Sequence, residues 1–382
     1  MTDAWLVGAG IRSALGDSVA ATVEVLRRPP SAPRMLDVPL GAGVEVVPSL
    51  GMAGAVEEDP ENRLYRLVEG AAREAIAEAE LGPDELKTTA LLLGTSSLDI
   101  SMTEAAYARD LASGGEAYPL MSNSSMGEMG RVLAKRLGVG GMDLTINTAC
   151  TASANALVYG DMLVRTRRAS HALILGTELF NRTTALGFRS LDLLAPDGMR
   201  PFDKNRRGIV LGEACAAVVV GPERREGAFR LTGSANLCDT HGISAANPDG
   251  STVAAVMREA LGAAGVAPGD VAAVKSHGTA SLLNDEAEAA GLRQVFGDGL
   301  PPLCALKPFI GHAFGACGLA ELVMLLGAAS AGFVPGTPGV GADPSDLGVS
   351  LTQGPTPVGR GDFLLNYFGF GGNNTALVMS NG

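Results

Sequence analysis

A strand-helix order that occurs twice constrains this chain more than any other feature. Between residues 62 and 80 the apolar positions Leu64, Leu67, Val68, Ala71, Ala72, Ala75, Ile76 and Ala79 recur at spacings of three and four, which predicts a helix with one buried face. Leu81-Gly82-Pro83-Asp84 ends it. Ala90-Leu91-Leu92-Leu93-Gly94-Thr95 follows, an unbroken apolar run that predicts a strand covered on both faces. The order returns with Val253, Val256, Met257, Ala260 and Leu261 on a helix, Pro268-Gly269-Asp270 as the break, and a strand over 271–276 leading into His277-Gly278-Thr279. The copies are offset by 253 − 64 = 189 at the helices and 268 − 83 = 185 at the prolines, a drift of about one helical turn.

A second pair of segments agrees. A strand over 144–148 precedes a small-residue helix from Cys150, and 303–306 precedes Gly311-His312 and an Ala-rich helix; closing strands follow at 214–220 and 375–379. Here the offsets are 312 − 150 = 162 and 375 − 214 = 161, so loop lengths changed between the copies. The expected organisation is an N-terminal half over 1–222 and a C-terminal half over 223–382. Alternating helices and buried strands predict mostly parallel sheets covered on both faces, with sites at the carboxyl ends of strands. Residues 29–49, rich in Pro and Gly, read as an irregular surface segment.

Composition narrows the function. Acidic residues exceed basic ones by 41 − 29 = 12, which disfavours nonspecific binding to nucleic acid or an anionic membrane. Five cysteines, odd in number and without CxxC spacing, predict a reducing compartment rather than disulfides. The first twenty residues lack a basic start with an apolar core, and the apolar stretch around 322–334 is broken by glycines and too short to span. The expected location is the cytoplasm. No phosphate loop, dinucleotide fingerprint, HExxH or EF-hand loop occurs, so neither metal nor cofactor is expected.

Chemistry concentrates at strand ends. Cys150, in Thr148-Ala149-Cys150-Thr151-Ala152-Ser153, lies where a strand gives way to a helix, and unpaired amides at a helix start favour thiolate. A buried inert cysteine is the alternative there, and it is the reading for Cys215, Cys238, Cys304 and Cys317. Of four histidines, His277 and His312 adjoin glycines after predicted buried strands; His171 and His241 read as structural. Lys307 heads the segment that ends in His312, and the carboxylates Asp285, Glu288 and Glu321 are near enough in sequence to orient imidazoles. Phe368-Gly369-Phe370-Gly371-Gly372-Asn373-Asn374 reads as a turn facing the site or as an ordinary hairpin.

Together these motifs, with Pro201-Phe202-Asp203-Lys204 and Leu211-Gly212-Glu213 between them, resemble the beta-ketoacyl synthases of the elongating type along nearly the whole chain. The resemblance implies a thiolase fold: α/β, a duplicated αβαβα five-layer architecture with two mixed sheets, usually dimeric. It implies decarboxylative Claisen condensation of a malonyl-carrier with an acyl chain held on Cys150. In that scheme the backbone amides of Cys150 and Phe370 form one oxyanion hole, His277 and His312 form another, and Phe370 gates the site. Lys307 supports the histidines, with Asp285, Glu288 and Glu321 as its network.

The implied partner is an acyl carrier protein, docked on a basic rim for which Arg63, Arg66, Lys204, Arg206 and Arg207 are the candidates. A homodimer is expected, or a heterodimer with a chain-length-factor-like homologue. An acyltransferase that uses the acyl-Cys without condensation is the alternative activity. The sequence departs from the family over Ser281-Leu282-Leu283-Asn284-Asp285, where a Thr-Pro and then a Gly-Asp are common, and at Asn373, where Thr is common, which points to a specialised fatty-acid, polyene or polyketide pathway. By the same resemblance, 94–105 and 188–196 line the acyl pocket.

Overall fold

The computed structural model describes residues 2–52, 59–114, 126–337 and 347–382. The first half runs β1 (Trp5–Ser13), α1 (Val19–Val25), β2 (Arg34–Leu40), β3 (Gly43–Leu50), α2 (Pro60–Ala79), α3 (Pro83–Leu86), β4 (Ala90–Gly94), α4 (Ile100–Ala112) and α5 (Glu128–Leu137). It continues with β5 (Asp143–Ile146), α6 (Ala152–Arg165), β6 (Ala172–Glu178), α7 (Arg182–Ser190), β7 (Leu211–Gly212) and β8 (Ala214–Gly221). The second half holds β9 (Arg230–Cys238), α8 (Ser251–Ala264), β10 (Val271–Lys275), α9 (Leu282–Phe296), β11 (Leu303–Cys304), α10 (Lys307–Ile310) and α11 (Cys317–Ser330). Short β12 (Phe333–Val334) and β13 (Thr356–Pro357) precede the closing hairpin β14 (Asp362–Gly369) and β15 (Asn373–Ser380).

The main strands form two five-stranded sheets, ordered β1-β8-β6-β4-β5 and β11-β10-β14-β15-β9. Side-chain alternation sorts them into layers. Leu92, Ile174 and Val218 face a central core with α6 and α11, while Leu91, Leu93, Leu173, Leu175 and Val219 face α2 and α5. In the second sheet Phe363, Leu365, Leu377 and Met379 enter the same central core, and Leu364, Ala376 and Val378 face α8 and α9. The order is therefore helix, sheet, helix, sheet, helix. Twelve of the 14 residues of α11 are buried, as a helix apolar all round must be when it sits between two sheets. Gly318 lets it approach α6, since a Cβ there would meet Ala154 N at 2.2 Å.

Two expectations need correction. Residues 29–49 are not irregular: β2 and β3 pair antiparallel from Arg34↔Ser49 to Leu40↔Gly43, around a turn with Gly41 at φ +58°. Pro39 and Pro48 hid an alternating strand pattern. The sheets are also not mostly parallel. β4 pairs parallel with β5 and β6, and β10 with β11 and β14, but β1–β8, β6–β8, β14–β15 and β15–β9 are antiparallel. Only three residues, Phe370–Gly372, separate β14 from β15, too few for the crossover a parallel pair needs.

Candidate active site

Cys150 lies between the end of β5 and the start of α6, just after Ala149, which adopts a left-handed φ of +51°. The chain packs tightly here: a Cβ on Gly94 would meet Ser153 N at 2.5 Å, which explains the run of small side chains opening α6. Cys150 Sγ is 3.3 Å from His312 Nε2. His312 in turn is pinned to the first half, its N–H donating to Val210 O at 2.8 Å while Gly212 N donates to His312 O at 3.0 Å. Gly311 is required for this crossing, because at φ +74° a Cβ would meet Leu211 O at 2.6 Å.

Both imidazole tautomers follow from their partners. Phe314 N donates to His312 Nδ1 at 3.3 Å, so the ring proton is on Nε2 beside the sulfur. Lys307 Nζ has three acceptors, His277 O at 2.7 Å, His277 Nδ1 at 3.2 Å and Glu321 Oε1 at 2.8 Å, which match the three protons of an ammonium. His277 therefore carries its proton on Nε2 as well. The two rings stand edge to face with centroids 5.6 Å apart. Burial first, and Lys307 second, hold both imidazoles well below their ordinary range, so both are neutral near pH 7.

The thiol behaves differently from the expectation. Burial pushes Cys150 up to about 12, against the opposing pull of Lys307 and of the Phe370 N–H; Glu178 and Glu321 add to the rise. The start of α6 does not yield a resting thiolate, because the enclosed sulfur loses more solvation than the donors return. Alkylation of Cys150 by iodoacetamide, followed by peptide mass mapping, should accelerate continuously between pH 6 and about pH 10. A plateau below pH 8 would restore the thiolate.

The carboxylates divide their work. Glu321 alone of the three contacts Lys307 among the described residues. Glu288 accepts from His277 N at 2.7 Å and Gly278 N at 2.8 Å, and Asp285 from Phe202 N at 2.7 Å and Ala280 N at 3.2 Å. Phe202 and Ala280 are both left-handed, at φ +60° and +62°, so Asp285 fixes two strained turns. Asp285 and Glu288 thus hold the backbone of the histidine loop and do not orient imidazoles, correcting the expected network. Sequence reasoning missed Lys275, whose Nζ is 2.6 Å from Glu321 Oε2, and Glu178. Glu178 accepts from Ser96 N at 3.0 Å, Ser97 N at 3.1 Å and Gly315 N at 3.0 Å, joining the halves beside the cysteine. The one available signal for both was a charge ending an apolar strand.

Cys150, His277 and His312 open onto one cavity of about 270 Å³, which Phe370 and the apolar Leu282 and Leu283 also line. Phe188 and Leu193 line it too, whereas 94–105 do not. Phe188 stacks on Phe370 with centroids 5.6 Å apart and meets Phe314 at 5.0 Å. The turn carrying Phe370 is tied to a neighbouring loop, with Gly371 N donating to Ile243 O at 2.7 Å. Cys317 donates to Cys150 O at 3.0 Å, and His171 pairs with Glu223 at 3.1 Å, away from the cavity.

The basic candidates separate as well. Arg63 is 3% exposed and grips both oxygens of Glu213 at 2.7 and 2.8 Å, so it is a structural ion pair and not a rim residue. Arg66 is exposed on α2, which does not line the cavity. Arg207 lines the mouth, Arg206 leans on Leu282 O at 3.4 Å, and Lys204 is exposed nearby in sequence.

Two sheets enclosing a shared helix layer, with a cysteine and two histidines meeting where the halves join, define a thiolase-fold architecture. Comparison with known proteins agrees. The Beta-ketoacyl synthase N-terminal domain matches residues 54–226, and the Beta-ketoacyl synthase C-terminal domain matches 229–340. The chain belongs to the beta-ketoacyl synthase family. It is 30% identical over 353 residues to a phenolphthiocerol/phthiocerol polyketide synthase of Mycobacterium tuberculosis, covering 85% of this chain but only 19% of that much longer protein. It is 29% identical to 3-oxoacyl-[acyl-carrier-protein] synthase 2 of Synechocystis, covering 81% of this chain and 79% of the relative. Among solved structures, the ketosynthase ApeO in complex with its chain length factor ApeC from Xenorhabdus doucetiae superposes with a TM-score of 0.87 at 25% identity, covering 99% of this chain and 98% of the other. Among the described residues no helix is long and apolar enough to cross a membrane.

Proposed function

We propose that this chain is a beta-ketoacyl synthase that condenses a malonyl-carrier with an acyl group held on Cys150. The observation that carries this reading is one cavity holding a sulfur and two neutral imidazoles, each with its Nε2 proton free of the protein donors that fix Nδ1. In loading, the Cys150 sulfur bonds to the thioester carbonyl carbon and the carrier's sulfur leaves, taking the thiol proton. The backbone N–H groups of Cys150 and Phe370 receive the charge that develops on the oxygen. No resting thiolate is needed, because the step exchanges one thiol for another.

Malonyl-carrier then loses its carboxylate as carbon dioxide, and the electron pair passes to the thioester as an enolate. The Nε2–H groups of His277 and His312 hold that oxygen, and neutrality suits them to donate. The α-carbon attacks the acyl-Cys carbonyl, a carbon–carbon bond forms, and the Cys150 sulfur departs and takes a proton from solvent. Lys307 fixes the tautomer of His277. Phe370, on its glycine turn, gates the cavity.

An acidic carrier suits the mouth at Arg207, with Lys204 and Arg206 beside it. A second protomer, either a copy of this chain or a chain-length-factor-like homologue, suits the edge of β5, unpaired among the described residues, where Met142 and Leu144 are exposed, as are Tyr159 and Met162 of α6. The two halves act as the two domains, divided near residue 222. Five free cysteines fit the cytoplasm. Leu282, where the family commonly has Pro, and Leu283 beside it add apolar surface to the mouth, in keeping with a specialised fatty-acid, polyene or polyketide substrate.

The test mixes acyl-carrier and malonyl-carrier with the chain. Carbon dioxide release with a product two carbons longer supports condensation; acyl transfer without carbon dioxide supports the acyltransferase alternative. Arg207→Glu should raise the KM for carrier while sparing kcat, and an unchanged KM removes Arg207 from the docking rim.

A further inference from the structure

Behind Lys307 lies a second buried lysine that the mechanism above does not use. Lys275, on β10, has zero exposure, and its Nζ makes three contacts: Glu321 Oε2 at 2.6 Å, Asn366 O at 2.6 Å, and the face of the Tyr367 ring at 3.6 Å. An ammonium has three protons and no acceptor site, and three electron-rich partners match it. A neutral amine would aim a lone pair at one of them. Lys307 is an ammonium by the same count, and both lysines share one carboxylate, Glu321, itself fully buried.

The charges do not cancel. Two ammoniums and one carboxylate leave one positive charge enclosed directly behind His277. If neutralising Glu321 were the only requirement, Lys307 would meet it alone. Without Lys275, Glu321 would lose the contact that holds Oε2, and its Oε1 would be free to draw Lys307 off His277 Nδ1. We propose that Lys275 is a positioning residue for the condensing chemistry, acting through Glu321: it locks the carboxylate so that Lys307 stays aimed at His277, and it supplies the positive charge that faces the forming enolate. This rests on the reading of the chain as a condensing enzyme.

The surrounding groups are consistent with that role. Burial lowers Lys275, with Lys307 adding to the fall, while Glu321 opposes it; for Lys307, burial is again the largest cause and lowers it, but Glu321 together with Cys317 and Cys150 more than offsets it, and the net direction is up. His277 and His312 each feel both lysines, which resist their protonation. The other titratable groups facing the cluster are Cys317 on α11, Cys304 on β11, Tyr367 on β14 and Cys150, all raised by burial, with Glu288 on α9 pushed up to about 7. Glu288 changes charge as the pH crosses neutrality, so the shift of the acid limb is read below pH 6, where Glu288 no longer changes charge.

The experiment measures carbon dioxide release from malonyl-carrier against pH for the wild type, Lys275→Met and Lys275→Gln. Glutamine keeps donors for Glu321 and Asn366 but no charge. Both variants should lose at least about tenfold of the rate at pH 7, and their acid limb should move up by about one unit, since an imidazole freed of a neighbouring cation protonates more readily. Recovery of the rate by Lys275→Gln, or an unmoved acid limb, overturns the proposal. Should neither variant fold, the wild-type Nζ signal of Lys275 decides by NMR. An ammonium at pH 7 supports the proposal, and a neutral amine overturns it. If the wild type releases no carbon dioxide, the condensing reading fails, and the NMR signal still reports on the charge.

Discussion

Cys150→Ala is expected to abolish acyl loading, with condensation falling by at least about 10⁴-fold, because no other group in the cavity can form the thioester. Intact-protein mass spectrometry should show acyl mass added to the wild type and none to the variant. The substitution removes only Sγ and leaves the left-handed Ala149 and the packing of Ser153 on Gly94 untouched, so the fold should persist. Cys317 provides the internal control. Its sulfur is buried and only 3.0 Å from Cys150 O, yet it is turned to that carbonyl and does not line the cavity. Cys317→Ala should therefore still load. Acyl mass retained in Cys150→Ala, or lost in Cys317→Ala alone, would move the nucleophile and end the assignment.

The parts of this architecture legible in the sequence were those written in local pattern. The helix read over 62–80 is α2, Pro60–Ala79, and the all-apolar run at Ala90 is β4, every residue of it buried. Cys150 and the two histidines were legible because each follows a strand and meets a glycine or a crowd of small residues. What stayed hidden depends on contacts across the fold. Lys275 ends a strand, and only the approach of α11 gives its charge a partner. Arg63 looked like a solvated cation on α2, until Glu213, 150 residues away, buried it. Asp285 and Glu288 looked like imidazole partners, but α9 aims them at backbone N–H groups. The thiol misled for a related reason: a helix start is a local feature, whereas desolvation depends on the whole cavity.

The two histidines should separate the chemical steps. His277→Ala is expected to keep acyl loading on Cys150 yet reduce carbon dioxide release from malonyl-carrier by about 10²- to 10³-fold, the loss typical of one oxyanion donor. His312→Ala should show the same loss and also slower loading, because its Nε2–H is 3.3 Å from the attacking sulfur and His277 makes no such contact. The double variant should lose far less than the product of the single losses, since one enolate oxygen needs both donors together. The pH profile carries the sign. Burial and Lys307 hold both rings below their ordinary range, and the neutral form is the donor that works, so wild-type decarboxylation should not show a histidine acid limb near pH 6.5. Equal loading in both variants would free His312 from the sulfur, and undiminished carbon dioxide release in either would remove that ring from the enolate site.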